Sequence, residues 1–367
     1  MTTDADTRWM RRALRLARRG EGRTSPNPMV GAVIVKAGQL IGQGHHRQVG
    51  GPHAEIWALR DAGEKARGAT IYVTLEPCSH HGRTPPCTDA LIQAGLARVI
   101  AAVEDPNPQV SGNGVRKLQE AGIEVEVGLL GDEARRLNAP YFKHTTTGLP
   151  LVSLKAAMSL DGKIATSTGE SQWITGDKAR ALGHRLRAIH DAVLAGVGTV
   201  LADDPKLTVR NARGRTPLRV IVDSRARTPA DAALLTADNI APIIAVTPEA
   251  PKKRLAALRK AGAEIWEMPS RGGQVDLRAL MQRLGEREVQ SVLVESGGTL
   301  TAGLLDADLA DRVYFFVAPR IIGGAEAPGP VGGSGVAKLA EAWRLENMRV
   351  RRVGEDVLII GDIAHRA

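Results

Sequence analysis

Apolar and polar positions along this chain fall into blocks that read as alternating strands and helices. Residues 7–19 place Trp9, Ala13, Leu16 and Ala17 on one face of a helix and fill the other with arginines. That arginine face reads as the solvated side of a packed helix. Ser25-Pro26-Asn27-Pro28 is a rigid turn, and the apolar run 30–35 behind it predicts a buried strand. Lys36-Ala37-Gly38 predicts a hairpin turn, with 39–44 as the return strand. Helical spacing over 54–66 and 114–121, a helix opened by Cys87 over 88–94, and strands at 71–75, 98–103 and 123–127 complete the first half. This alternation predicts a mostly parallel sheet covered by helices.

Thr145-Thr146-Thr147-Gly148-Leu149-Pro150 is polar and rich in breakers, so the domain boundary is expected there, dividing the chain into 1–147 and 148–367. Beyond it, 151–160 reads as a strand that turns at Asp161-Gly162. A helix over 177–189 follows, with short strands at 192–195, 218–222, 243–246, 264–267 and 291–294 and helices at 251–261 and 275–284. This is a second α/β domain with its own core, and its different pattern argues against a duplication. The segment 331–367 offers only a strand-like 357–360.

Length and composition narrow the function. A chain of 367 residues is enough for two ordinary domains. No apolar run approaches membrane-spanning length, and the N-terminal stretch, with Asp4, Asp6 and six arginines from Arg8 to Arg19, does not read as a secretory signal. A cytoplasmic, reducing location is therefore expected. The net charge of +9 raises the question of nucleic acid. Yet Lys and Arg exceed Asp and Glu by four through Thr147 and by five after it, with no basic tail and 3% aromatics for stacking on bases. A small anionic substrate such as a phosphate ester fits better than RNA, and neither a nucleic-acid nor a membrane partner is expected.

The densest chemistry lies in Gly51-Pro52-His53-Ala54-Glu55, Glu76-Pro77-Cys78 and Cys87, which contain both cysteines of the chain. His-x-Glu followed by Pro-Cys and a second Cys is the signature of zinc-dependent nucleobase deaminases. One imidazole and two thiolates fill three tetrahedral positions of Zn2+ and leave the fourth for water. His53, Cys78 and Cys87 are the expected ligands of one zinc per chain. Glu55, two residues from His53, would move protons between that water and a departing amine. His53 and Glu55 stand at one predicted helix N-terminus and Cys87 at another, where helix dipoles favour anions. A disulfide, two buried spectator thiols, or a structural zinc completed by His80 or His81 are the competing readings.

Other candidates are weaker. Asn27, pinned between prolines, could read a polar ring edge or be a plain turn residue. The eight-residue loop between the cysteines is long for a deaminase of this signature and well placed to meet substrate. Asp105-Pro106-Asn107-Pro108 follows a strand at the edge where open sheets bind ligands. Gly196-Val197-Gly198-Thr199 and Ser296-Gly297-Gly298-Thr299, each after a strand, could close on a phosphate or be tight turns. Ala202-Asp203-Asp204-Pro205, with Arg187 and Arg210 as possible phosphate partners, could equally be a cap.

Asn27-Pro28, His53-Ala54-Glu55, the run from Glu76 through Ser79-His80-His81-Gly82-Arg83-Thr84-Pro85-Pro86 to Cys87, and Asp105 to Pro108 together resemble the bifunctional deaminase–reductases of riboflavin biosynthesis. In the second half, Met158 to Ala165, Glu170 to Ile174, Gly196 to Pro205 and Glu295-Ser296-Gly297-Gly298 resemble the reductase part of the same family. The resemblance covers nearly the whole chain. It implies a cytidine-deaminase-like three-layer αβα domain followed by a dihydrofolate-reductase-like α/β domain that uses NADPH. It implies that Asn27, His80, Arg83, Asp105 and Asn107 contact the pyrimidine or its ribosyl phosphate. Ala157, Trp173, Thr199, Asp203, Ser224 and the turn Gly297, Gly298, Thr299, Leu300, Thr301, Ala302 and Gly303 would touch the cofactor. Ser171, Arg187, Leu207, Arg210 and Glu295 would touch the second substrate. The implied chemistry is deamination of 2,5-diamino-6-ribosylamino-4(3H)-pyrimidinone 5′-phosphate followed by reduction of its ribosyl group to ribityl. A homo-oligomer is also expected.

Overall fold

Thr3 opens the first helix by accepting from the Asp6 backbone N–H, while the Asp6 carboxylate accepts from the backbone N–H of Thr3, so two orphan donors are satisfied reciprocally. The helix, α1 (Asp4–Ala17), buries Trp9, Ala13, Leu16 and Ala17 on one face as its periodicity predicts. The computed structural model describes residues 3–79, 85–108, 110–210, 212 and 214–365. It separates into two units, Met1–Gly148 and Leu149–Ala367.

In the first unit α1 is followed by β1 (Gly31–Lys36), β2 (Gln39–His45), α2 (Ala54–Ala62), β3 (Thr70–Val73), α3 (Cys87–Gln93), β4 (Arg98–Ala101), α4 (Asn113–Glu120), β5 (Glu124–Val127), α5 (Gly131–Leu137) and α6 (Ala139–Thr147). The sheet order is β2-β1-β3-β4-β5. Period-two alternation sends successive side chains of β1 to opposite faces. Ala32 and Ile34 pack with Ala54 and Ala58 of α2, Leu91 of α3 and Leu118 of α4. Val33 and Val35 pack with Met10, Ala13 and Leu14 of α1. The result is three layers, helix on sheet on helix.

Two expectations need correction. The sheet is mixed rather than mostly parallel, because β1 runs antiparallel to both β2 and β3 while β3, β4 and β5 are parallel. The tight turn at Ala37-Gly38 can only return the chain antiparallel, and the α2 crossover then delivers β3 alongside the reversed direction. Thr145, Thr146 and Thr147 are the last turn of α6, not an irregular break. The hydroxyls of Thr146 and Thr147 donate back to carbonyls of the preceding turn, and Gly148 closes the helix in the left-handed conformation.

The second unit contains β6 (Leu151–Met158), α7 (Asp177–Ile189), β7 (Ala192–Gly196), α8 (Val197–Asp203), β8 (Leu218–Val222), β9 (Ile243–Val246), α9 (Lys252–Lys260), β10 (Glu264–Glu267), the small hairpin β11 (Ser270–Arg271) and β12 (Gln274–Val275), α10 (Leu277–Glu286), β13 (Ser291–Val294), α11 (Gly298–Asp306), β14 (Arg312–Val317), β15 (Leu345–Val353) and β16 (Asp356–Ile363). Its main sheet has the order β10-β9-β8-β7-β13-β6-β14-β16-β15. The pairings from β10 to β14 are parallel, and β16 is antiparallel to both β14 and β15. One face packs on α10 and α11 through Val152, Leu154, Leu194, Leu280 and Leu304. The other packs on α7 and α9 through Val193, Ile221, Leu186 and Leu258. The glycine turn expected at Gly196 to Thr199 is the start of α8, and the segment 331–367 closes the sheet with a hairpin. Among the described residues no helix is long and apolar enough to cross a membrane.

Candidate active sites of the two units

Two helix N-termini build the metal site of the first unit. His53 is the N-cap of α2, Glu55 lies in its first turn, and Cys87 is the first residue of α3. Cys78 comes from the connection after β3. His53 Nδ1 lies 3.2 Å from Cys87 Sγ and 3.6 Å from Cys78 Sγ, and the three ligand atoms are within 4.8 Å of one another. The Cys87 backbone N–H donates to Cys78 Sγ at 3.4 Å.

The electrostatics of this cluster call for a cation. Cys78 is held down to about 4 by a hydrogen bond from the Cys87 thiol, assisted by His53 and opposed by burial. Cys87 is pushed up by sharing its proton with Cys78 and by burial. The two thiols share a proton, and ionising both needs positive charge to balance them. A divalent metal would supply that balance, and an imidazole with two thiolates is a zinc donor set. Glu55 is 3% exposed, its Oε2 has no hydrogen-bond partner, and burial raises its pKa. A buried carboxylate that resists ionisation beside three metal donors is suited to carrying a proton.

Of the expected substrate contacts, Asn27 and Asp105 lie near this cluster. Asn27 Nδ2 lies 3.2 Å from His46 Nε2, and the His46 ring meets the His53 ring edge-on with centroids 5.5 Å apart. His46 Nδ1 is 3.1 Å from the Pro52 carbonyl, so the ring is held from both sides. The bend carrying Asn27 is fixed further along, where Asn138 accepts from the Met29 N–H and donates to the Met29 carbonyl. Asp105 is buried, accepts from Tyr141 Oη at 2.8 Å and from the Asn107 N–H at 2.9 Å, and is pushed up by burial despite these bonds. His80 and Arg83 lie outside the described residues, as does His81. His46 and Asn138 escaped the sequence reading. A histidine at a strand end was the only signal for the first, and the second had none.

The second unit gathers polar groups where β13 ends, beside the middle of β6. Val294 of β13 pairs with Leu154 of β6, which sets Glu295 beside Lys155. Arg187 of α7 meets the Glu295 carboxylate as a fork, Nε to Oε1 at 2.5 Å and Nη2 to Oε2 at 3.0 Å, and Lys155 Nζ lies 3.3 Å from Oε2. Burial alone would raise the Glu295 pKa, but Arg187 and Lys155 outweigh it and hold the group well below the ordinary carboxylate range. Arg187 and Glu295, expected as separate substrate contacts, thus first neutralise each other. Lys155 was not singled out in the sequence, although a lysine inside an apolar strand is a usable signal.

The remaining expected contacts are dispersed. Ser171 Oγ donates to Asp203 Oδ1 at 2.8 Å, joining the segment before α7 to the end of α8. Thr199 lies in α8, Ala157 on β6, and Trp173 is exposed. The Leu207 side chain is 2% exposed, so only its backbone could face a ligand. Arg210 is exposed, and its N–H lies 3.4 Å from Nδ1 of the buried His184. Ser224 Oγ accepts from the Val275 N–H and donates to Gln274. Ser296 Oγ accepts from the Gly196 N–H, tying together the starts of α8 and α11 on the neighbouring strands β7 and β13. Gly297 caps α11 and faces open space, whereas a Cβ on Gly298 would lie 2.6 Å from the Gly332 nitrogen. Of the two glycines, the second is required by a close backbone approach and the first leaves room at the N-terminus of α11. Leu300, Thr301 and Ala302 are buried along α11, and Gly303 lies on the same helix.

Comparison with known proteins agrees with this division. Residues 3–103 match the family model described as the cytidine and deoxycytidylate deaminase zinc-binding region, and residues 150–359 match the RibD C-terminal domain. The riboflavin biosynthesis protein RibD of Escherichia coli is 44% identical over 373 residues, covering 96% of this chain and 98% of that protein. The RibD of Actinobacillus pleuropneumoniae is 43% identical over 358 residues, covering 97% and 95%. Among solved structures, Acinetobacter baumannii RibD is 41% identical with a TM-score of 0.87, covering 98% of this chain and 99% of that one. The diaminohydroxyphosphoribosylaminopyrimidine deaminase/5-amino-6-(5-phosphoribosylamino)uracil reductase of Thermotoga maritima is 38% identical with a TM-score of 0.85 and the same coverage.

Proposed function

We infer the reactions from one premise: the chain belongs to the RibD family. It is a bifunctional deaminase and reductase of riboflavin biosynthesis, with the deaminase in the unit that carries His53, Cys78 and Cys87 and the reductase in the unit that carries Glu295. Its first substrate is 2,5-diamino-6-ribosylamino-4(3H)-pyrimidinone 5′-phosphate, which loses the 2-amino group as ammonia. The product is then reduced at the ribosyl C1 to give 5-amino-6-(5-phosphoribitylamino)uracil.

His53, Cys78 and Cys87 would hold zinc, which would supply Lewis acidity to a water molecule. Glu55 would accept a proton from water and give one to the departing amine. Its burial and unpartnered Oε2 keep the protonated form accessible, and that observation carries the assignment. Asn27, Asp105 and Asn107 orient the pyrimidine, with His80 and Arg83 from the inter-cysteine loop. In the second unit, NADPH supplies the hydride when bound. Ala157, Trp173, Thr199, Asp203, Ser224 and the α11 N-terminus from Gly297 to Gly303 bind it, with the open approach to Gly297 as the structural support. Ser171, Arg187, Leu207, Arg210 and Glu295 hold the ring-opened sugar phosphate. Residues 1–147 and 148–367 are the two functional domains. The enzyme works in the cytoplasm as a homo-oligomer, without nucleic acid, and two thiol ligands suit a reducing compartment.

The test is to supply the diaminopyrimidine phosphate with NADPH and follow ammonia and NADPH absorbance together, alongside zinc analysis. Ammonia release should precede NADPH loss. Active protein without zinc, or NADPH loss without ammonia, would overturn the reading.

A further inference from the structure

Glu76 has no place in the chemistry above, yet it is 3% exposed and accepts four backbone hydrogen bonds. It lies two residues before Cys78. Its Oε2 accepts from the Asp105 N–H at 3.2 Å and the Gly112 N–H at 3.1 Å. Its Oε1 accepts from the Gly114 N–H at 2.9 Å and the Val115 N–H at 3.1 Å, at the start of the eight-residue helix α4. One oxygen thus closes the loop 105–112 at both ends, and the other anchors the helix that follows it. Both oxygens are saturated by backbone donors, with a helix N-terminus as the positive counterpart. The approach is tight, since a Cβ on Gly114 would lie 2.1 Å from the Pro77 carbonyl oxygen.

We propose that Glu76 is a positioning residue for deamination: it sets the distance between the metal-ligand segment ending in Cys78 and the substrate loop bearing Asp105 and Asn107. This rests on the reading of that loop as a substrate contact. Within the loop, the Asn107 N–H donates to Asp105 Oδ1, and Tyr141 of α6 donates to the same oxygen, so these residues are linked to one another. Moving the ends would move both side chains as a unit relative to Cys78, while leaving the three metal donors in the chain.

The experiment uses the full-length zinc-loaded enzyme, whose reductase activity serves as an internal control for folding. Glu76→Gln turns one acceptor oxygen into a donor facing two N–H groups. The KM for the diaminopyrimidine phosphate should rise by about tenfold or more, with zinc content and reductase rate at the parent level and kcat changed less than KM. Glu76→Asp, which keeps the charge on a shorter arm, should recover part of the lost KM. Amide hydrogen exchange on the unmutated enzyme, which needs no variant to fold, should show Asp105, Gly112, Gly114 and Val115 strongly protected. An unchanged KM in Glu76→Gln, a variant that loses zinc and kcat with KM intact, or rapid exchange at these four amides would overturn the proposal. Asn107→Ala separates it from the reading beneath: if Asn107→Ala leaves KM unchanged, the loop does not meet substrate. If Asn107→Ala raises KM and Glu76→Gln does not, only the role of Glu76 fails.

Discussion

The two units bury carboxylates beside their sites in different ways. In the first, Glu55 has a buried oxygen without a partner, and Glu76, two residues before Cys78, is satisfied by backbone amides. In the second, Glu295 is paired with two cations, Arg187 and Lys155. The surroundings decide the state of the group. At Glu55 burial outweighs the neighbouring His53 and raises the pKa. With two cations, Glu295 stays ionised and holds Lys155 and Arg187 in place. The first unit thus keeps a proton in play, and the second keeps a charge fixed.

The comparison breaks most sharply at Glu55. Glu55→Gln should lower the deamination rate by about a hundredfold or more, with zinc content and NADPH-dependent reduction of the deaminated substrate unchanged; equal loss in both reactions would mean that the two sites are not separable. Removing zinc with a chelator should likewise abolish ammonia release and spare reduction. Next is the buried ion pair. Arg187→Ala leaves Glu295 with only Lys155 and should destabilise the second unit by about 3–5 kcal/mol, read as a lowered urea midpoint, while the first unit keeps its metal affinity.

The pH response should distinguish the units too. An acid whose folded pKa lies below its unfolded value stabilises the fold above the unfolded pKa and ceases to do so as pH falls through the folded one. Glu295 therefore supports the second unit at neutral pH, and that support should fade as pH drops below its ordinary value of 4.5. Glu295→Gln should flatten this acid limb in a series of denaturant midpoints. The smallest effect is expected at Gly297→Ala. Its φ of −71° is open to any residue and its Cβ would meet nothing, so stability should change by less than about 1 kcal/mol while the KM for NADPH rises. Gly298→Ala, where the Cβ meets the Gly332 nitrogen, should destabilise instead.

The sequence by itself determined much of this protein. Alternation and helical spacing located α7, β8, β9, β10 and β13 at their observed bounds, because buried faces impose their period on the residues that fill them. The metal site was legible because its donors sit at helix starts and short spacings, where local backbone geometry already aims the side chains. Tertiary structure alone decided the rest. Glu295 is more than a hundred residues from both Lys155 and Arg187, and only the order β7-β13-β6 with α7 across one face brings their charges together. Glu76 finds four partners that are backbone amides, identical in every residue and therefore without a signature in the chain. Side-chain type can be read along a sequence, but which distant groups share a dielectric is fixed only when the sheet is ordered and the loops are closed.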